Sequence, residues 1–211
     1  MPKSKRSRRF TKPHGFTLIE LLVVLAIAAL LARLAAPAFA GLINSANVSR
    51  AVNDFILDTR YARGEAMRRG KTVTICRTAT PTASPSATAP VCSTSGNSDW
   101  GQGWIVFVDI GASPGVFDYQ TDKILRVHES LSGIGGLTAV NNSSVAMSGQ
   151  NYITFDASGK AVGYAGRWLV TPNGQLASNN TLTRTVCLNF VGRIRLASPT
   201  TYGATGDVQC S

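Results

Sequence analysis

The sequence predicts an α+β fold in which one long N-terminal helix packs on small antiparallel β-sheets. Three observations carry this expectation. An apolar run from Phe16 to about Leu42 is interrupted only by Glu20 and Arg33. Helical periodicity continues beyond it to about Gly70. After Gly70, short β-patterned runs alternate with frequent turn signals.

The apolar run follows a basic, acid-free leader carrying Lys3, Lys5, Arg6, Arg8, Arg9 and Lys12. At ~1.5 Å per residue, a helix of that length covers a bilayer's hydrocarbon core of roughly 30 Å. The basic flank places the leader in the cytoplasm and exports the C-terminal part. A carboxylate at Glu20 is costly in such a helix and calls for a cationic partner. Arg33, toward the other end of the run, would snorkel or pair with an acid of a neighbour.

From Ile43 the helix is expected to continue as an amphipathic segment over 43–70. Val48, Val52, Phe55, Thr59, Ala62 and Ala66 recur at steps of four and three, forming one stripe for packing. Arg50, Asp54, Asp58, Arg60, Arg63, Glu65 and Arg69 are assigned to the opposite, solvated face, with Arg50–Asp54 and Glu65–Arg69 as i,i+4 pairs. Basic residues at Arg68 and Arg69 followed by Gly70 mark the helix end.

Strands are predicted at Thr72–Cys76, Trp104–Val108, Lys123–His128, Val145–Met147, Tyr152–Phe155, Trp168–Thr171, Thr183–Phe190 and Arg193–Leu196. Thr78 to Pro90 is a Pro/Ala/Ser/Thr tract and reads as an exposed loop. Four cysteines in an exported domain permit three pairings. Cys76–Cys92 with Cys187–Cys210 is preferred because each bond closes a short loop, on the order of 3 kcal/mol of chain entropy apiece.

Gly15-Phe16-Thr17-Leu18-Ile19-Glu20, behind a basic leader, resembles the processing signal of type IV pilins and type II secretion pseudopilins. The resemblance implies cleavage by prepilin peptidase between Gly15 and Phe16 and N-methylation of Phe16. It also assigns Glu20 and Pro37 to filament assembly, Glu20 by neutralising the new amino terminus of an adjoining subunit. Expected partners are other pilins or pseudopilins, the peptidase and the bacterial inner membrane. The chain would cross that membrane once, with a periplasmic domain over 71–211, before entering a pilus or pseudopilus. Two other readings fit parts of the stretch. An ordinary signal peptide cut near Ala38-Phe39-Ala40 leaves the length and Glu20 unexplained. A plain anchor leaves the residue order unexplained.

The order Cys76, Cys92, Asp99-Trp100, Trp104 to Asp109 and Gly192-Arg193-Ile194-Arg195 resembles the GspH/FimT group of minor pilins and pseudopilins. That resemblance implies a type IV pilin-like lollipop. Trp100 and Trp104 read as core and turn-packing residues in preference to a binding platform. In a strand, Arg193 and Arg195 share one face about 7 Å apart and Ile194 points inward, while Gly192 permits a tight turn. Such a pair can grip successive phosphates. It resembles the G-R-x-R signature of DNA-binding minor pilins used in natural transformation, which implies double-stranded DNA as a partner. Arg184 is added to this site as a residue across a hairpin. The alternative is a structural secretion pseudopilin without DNA binding, its arginines being ordinary surface residues.

Loss of the leader removes six of 21 Lys+Arg, leaving 15 against 11 Asp+Glu and a net charge of +4 instead of +10. That charge alone identifies no nucleic-acid partner. No nucleophile stands at motif spacing from a base, no C-x-x-C occurs, and His128 is the one histidine left without the leader. No catalytic site, metal or cofactor is expected.

Overall fold

A computed structural model describes residues 17–86, 88–94, 99–111, 113–141, 146–163, 165–176, 181–197 and 210, with the side chains at 34–38 and 175 excepted. Gly15 and Phe16 lie outside the described residues, and Pro37 is described only as backbone within the helix. The fold is α+β, an N-terminal helix packed on antiparallel sheets.

Helix α1 spans Leu18–Arg69. Its first turn is closed reciprocally: Glu20 N–H donates to Thr17 Oγ1 at 3.3 Å, and Glu20 Oε2 accepts from Thr17 N at 3.3 Å. This is a capping box, which satisfies amide donors that a helix start leaves open. At the other end Gly70 takes a φ of 62°, and Lys71 N–H reaches back to the Ala66 carbonyl at 3.3 Å. A left-handed residue followed by that long return bond is the Schellman stop, and glycine adopts it without a Cβ penalty. Glu65 then accepts from Arg68 Nε at 2.9 Å and Arg69 Nε at 2.6 Å. Those two bonds hold its carboxyl at about 2, against an ordinary 4.5.

The chain divides into two compact units, Met1–Ala40 and Gly41–Ser211. In the first, apolar side chains from Leu18 to Leu31 are exposed. Among the described residues no helix is long and apolar enough to cross a membrane.

In the second unit, Val48, Val52, Phe55, Thr59, Ala62 and Ala66 are all buried. They face two antiparallel sheets. The first is ordered β3-β2-β1-β5-β6, with β1 at Val73–Arg77, β2 at Trp104–Val108, β3 at Lys123–His128, β5 at Tyr152–Phe155 and β6 at Ala161–Val162. The second is ordered β4-β7-β8-β9, with β4 at Ile134–Val140, β7 at Gly166–Pro172, β8 at Arg184–Leu188 and β9 at Ile194–Leu196. Phe55 meets Trp100, Trp104 and Trp168 at centroid distances of 5.5, 5.5 and 5.3 Å. Trp100 and Trp104 are fully buried, so neither is a surface platform.

The helix's polar face departs from expectation at Asp58, which is buried. It accepts from the Trp104 indole Nε1 at 2.9 Å and from Arg126 Nη1 at 2.5 Å. Arg126 in turn lies 4.1 Å over the Tyr61 ring. A buried indole N–H needs an acceptor, and Asp58 stands next to the packing stripe at the height of Trp104. The Arg50–Asp54 pair gives way to longer-range contacts. Arg50 donates to Ser132, and Asp54 lies 3.5 Å from His128, whose ring stacks on Trp104.

Strands β2, β3 and β5 occupy the predicted residues, whereas β4 and β6 were not predicted. Gly135-Gly136 disguised β4, since glycine weakens strand propensity. Here a Cβ at Gly135 would crowd the Pro172 carbonyl oxygen of β7, and Asp99 Oδ1 accepts the Leu137 N–H at 3.0 Å. At Val145–Met147 the described residues show only a bridge from Ala146 to Val140, and Val145 lies outside them. Disulfides join Cys76 to Cys92 and Cys187 to Cys210.

Two outcomes follow for stability. Asp58→Ala strands the Trp104 N–H in the core and is expected to cost about 1–3 kcal/mol in urea unfolding, with Phe55→Ala costing about 3–5. The Glu65 carboxyl is depressed in the folded state, so its stabilising effect is full above pH 4.5 and fades as pH falls toward about 2. Glu65→Gln should flatten that part of the urea-midpoint profile between pH 5 and pH 2.

Candidate functional site

The β8–β9 hairpin displays the basic motif. Its register pairs Leu188 with Ile194, Cys187 with Arg195 and Val186 with Leu196. Asn189 closes the turn three ways. Its carbonyl accepts Gly192 N–H at 2.9 Å, its N–H donates to the Arg193 carbonyl at 3.1 Å, and its Oδ1 accepts Arg193 N–H at 2.9 Å. Gly192 sits at φ 78°. A Cβ there would run into the Gly159 carbonyl oxygen, so glycine is required both by conformation and by close approach.

Ile194 is 3% exposed and belongs to the core, while Arg193 and Arg195 on either side of it are exposed. Strand alternation therefore puts the two arginines on the outer face. Arg184 is not brought to them. It shares parity with Val186 and Leu188, which face the core, and its Nη1 is bonded to the carbonyls of Thr181 at 2.7 Å and Thr183 at 3.0 Å. An odd separation from Cys187, the partner of Arg195, places Arg184 on the opposite side of the sheet.

Two helix arginines whose spacing assigns them to the solvated face converge on the same hairpin. Arg63 Nε donates to the Gly159 carbonyl at 2.9 Å, beside Gly192, and Arg60 Nη2 lies 3.5 Å from the Ile194 carbonyl. Both were legible as basic residues of α1, but only the packing of helix against hairpin tells them from Arg50. The β5–β6 turn completes the junction. Ala161 N–H donates to the Phe190 carbonyl at 3.1 Å. Asp156 caps that turn through Ser158 and the Lys160 N–H, and the Ser158 hydroxyl above all holds its carboxyl below the usual range. At the hairpin tip Phe190 and Val191 are exposed.

Among the described residues, no group of three or more His, Cys, Asp or Glu could hold a metal ion. The arrangement suits charge-assisted contact with an extended anion.

The family described as Type II transport protein GspH matches residues 51–192, two thirds of the chain. The chain belongs to the GspH family. The family described as Prokaryotic N-terminal methylation motif matches residues 11–32, the segment that contains Gly15, Phe16 and Glu20. This GspH-family chain is thus one of the membrane-anchored pilin and pseudopilin subunits, which are structural proteins that assemble with other pilins in a filament. The GspH match ends on Gly192, so Arg193 and Arg195 lie just past it.

Among solved structures, the chain is similar to the type IV minor pilin FimU of Pseudomonas aeruginosa, at 21% identity and a TM-score of 0.48, covering 72% of this chain and 90% of that one. It is also similar to the minor pseudopilin EpsH of the Vibrio cholerae Type 2 Secretion System, at 16% identity and a TM-score of 0.44, covering 72% and 98%. No curated protein matches the sequence.

Gly192→Ala should destabilise the domain by at least about 1–3 kcal/mol, from the left-handed backbone alone. Asn189→Ala, which leaves the backbone unstrained, should cost less. Thermal unfolding of both variants checks that order.

Proposed function

We propose that this protein is a minor pilin of a type IV pilus, held in the filament by its N-terminal helix, that contacts double-stranded DNA through Arg193 and Arg195 during natural transformation. The observation that carries the reading is the pair of exposed guanidiniums on either side of a buried Ile194, on a hairpin whose turn Asn189 and Gly192 hold in one shape. Residues i and i+2 of a strand stand about 7 Å apart, close to the spacing of successive phosphates along one strand of DNA. Such contacts grip backbone without reading sequence. Arg60 and Arg63 add positive charge at the same junction and hold the hairpin to the helix. Arg184 has no part in it.

The same reading has prepilin peptidase cut between Gly15 and Phe16 and methylate Phe16. Phe16 to Leu42 then cross the inner membrane once, with the domain after Gly70 in the periplasm, where both disulfides persist. Once assembled, the exposed apolar side chains from Leu18 to Leu31 are covered by neighbouring helices. Glu20 trades its contact with Thr17 for the amino terminus of an adjoining copy. Pro37 is assigned to the bend that filament packing needs.

A second reading rests on the match to Type II transport protein GspH: a secretion pseudopilin that assembles in the same way and has no DNA contact.

A gel shift of the Gly41–Ser211 unit with duplex DNA separates the two. DNA contact predicts affinity that falls steeply with salt, and a log–log salt slope smaller by about two when Arg193 and Arg195 both become Gln. Absence of any shift at low salt leaves the pseudopilin reading. Mass spectrometry of the mature chain is expected to find methylated Phe16 as the first residue, and a start near Gly41 would instead indicate an ordinary signal peptide.

A further inference from the structure

The C-terminal end of α1 borders a cavity of about 330 Å³ that the GspH match and the hairpin leave without a role. Arg68, Arg69, Lys71 and Lys123 line it, with Val108 and Ile110 as its apolar wall. Four cations converge from three segments: the last helical turn, the residue after the Schellman stop and the first residue of β3.

Nearby acids do not balance them. Glu65 takes Nε and Nη2 of Arg68 and Nε of Arg69, and so offsets one charge. Both Nη atoms of Arg69, and the ammonium groups of Lys71 and Lys123, have no partner among the described residues. Asp122, next in sequence to Lys123, offsets a second charge, though its oxygens are held by backbone donors: Oδ1 accepts the N–H groups of Ile110 and Gly111, and Oδ2 that of Asp118. The helix C-terminus contributes only about half a negative charge. A surplus of more than one positive charge remains around the cavity.

We propose that this cavity is an anion site that takes a phosphate-bearing ligand, separate from the Arg193/Arg195 face. Arg69 supplies the planar fork that phosphate oxygens fit, and Lys71 and Lys123 supply point charges on either side. Its volume lies at the lower end of the range for small-molecule sites, roughly 300–1,000 Å³, and exceeds what one inorganic phosphate fills. A run of linked phosphates, free or from a nucleic-acid backbone, meets both the charge and the size.

The test is calorimetric titration of the full chain in detergent with sodium tripolyphosphate at low salt. Saturable binding is expected, weakened about tenfold or more by Lys71→Gln with Lys123→Gln. Arg193→Gln with Arg195→Gln should leave it within about twofold, which keeps this site's fate distinct from that of the DNA-binding reading. No saturable binding, or binding that the lysine variant leaves unchanged, overturns the proposal. A parallel arm with a 20-base-pair duplex identifies the source. A salt slope reduced by about two in the lysine variant means that nucleic acid supplies the phosphates. An unchanged slope, with tripolyphosphate binding lost in that variant, means a free phosphate compound.

Discussion

The seating of Phe55 among Trp100, Trp104 and Trp168 is the contact on which the Gly41–Ser211 unit depends. Among the described residues no strand of the first sheet pairs with a strand of the second, so backbone ladders alone do not make the two sheets one body. A single helix side chain touches a tryptophan from β2, one from β7 and one from the loop ahead of β2, and burial of those rings supplies the cohesion. Asp58, one turn on, adds direction to a contact that would otherwise be apolar. The Trp104 indole and Arg126 can both be satisfied at only one rotation of the helix about its axis.

That fixed rotation carries through to the hairpin. Arg60 and Arg63 follow Asp58 along α1, and their bonds to the Ile194 and Gly159 carbonyls bring β9 of the second sheet and the β5–β6 turn of the first to the same stretch of helix. Gly192 lets the β8–β9 turn come close enough for this, since any side chain there would meet Gly159. The basic motif is therefore held by the core, through Ile194 beneath it and the helix behind it.

Much of the fold was legible because it rests on local signals. The six-residue stripe from Val48 to Ala66 is buried as its spacing demands, and Gly70 stops the helix through its own backbone freedom. Strands rich in β-branched and aromatic residues, such as Trp104–Val108, were equally plain. Strand β4 was not, because Gly135 and Gly136 look like a turn until β7 and Asp99 are set against them. Asp58 was misplaced for a related reason: a carboxylate reads as solvated unless the indole that needs it is already in view.

By itself the sequence determined the long helix with its methylation motif behind a basic N-terminal segment, the β-rich domain after Gly70 and the Gly192-Arg193-Ile194-Arg195 motif, because each is written in neighbouring residues or a short period. Only the tertiary structure decided that Arg184 faces away from that motif while Arg60 and Arg63 join it, and that Lys71 and Lys123 share a cavity with Arg68 and Arg69. Strand parity and helix rotation set those distances. Both are properties of packed elements, and neither is encoded in the spacing of any one segment.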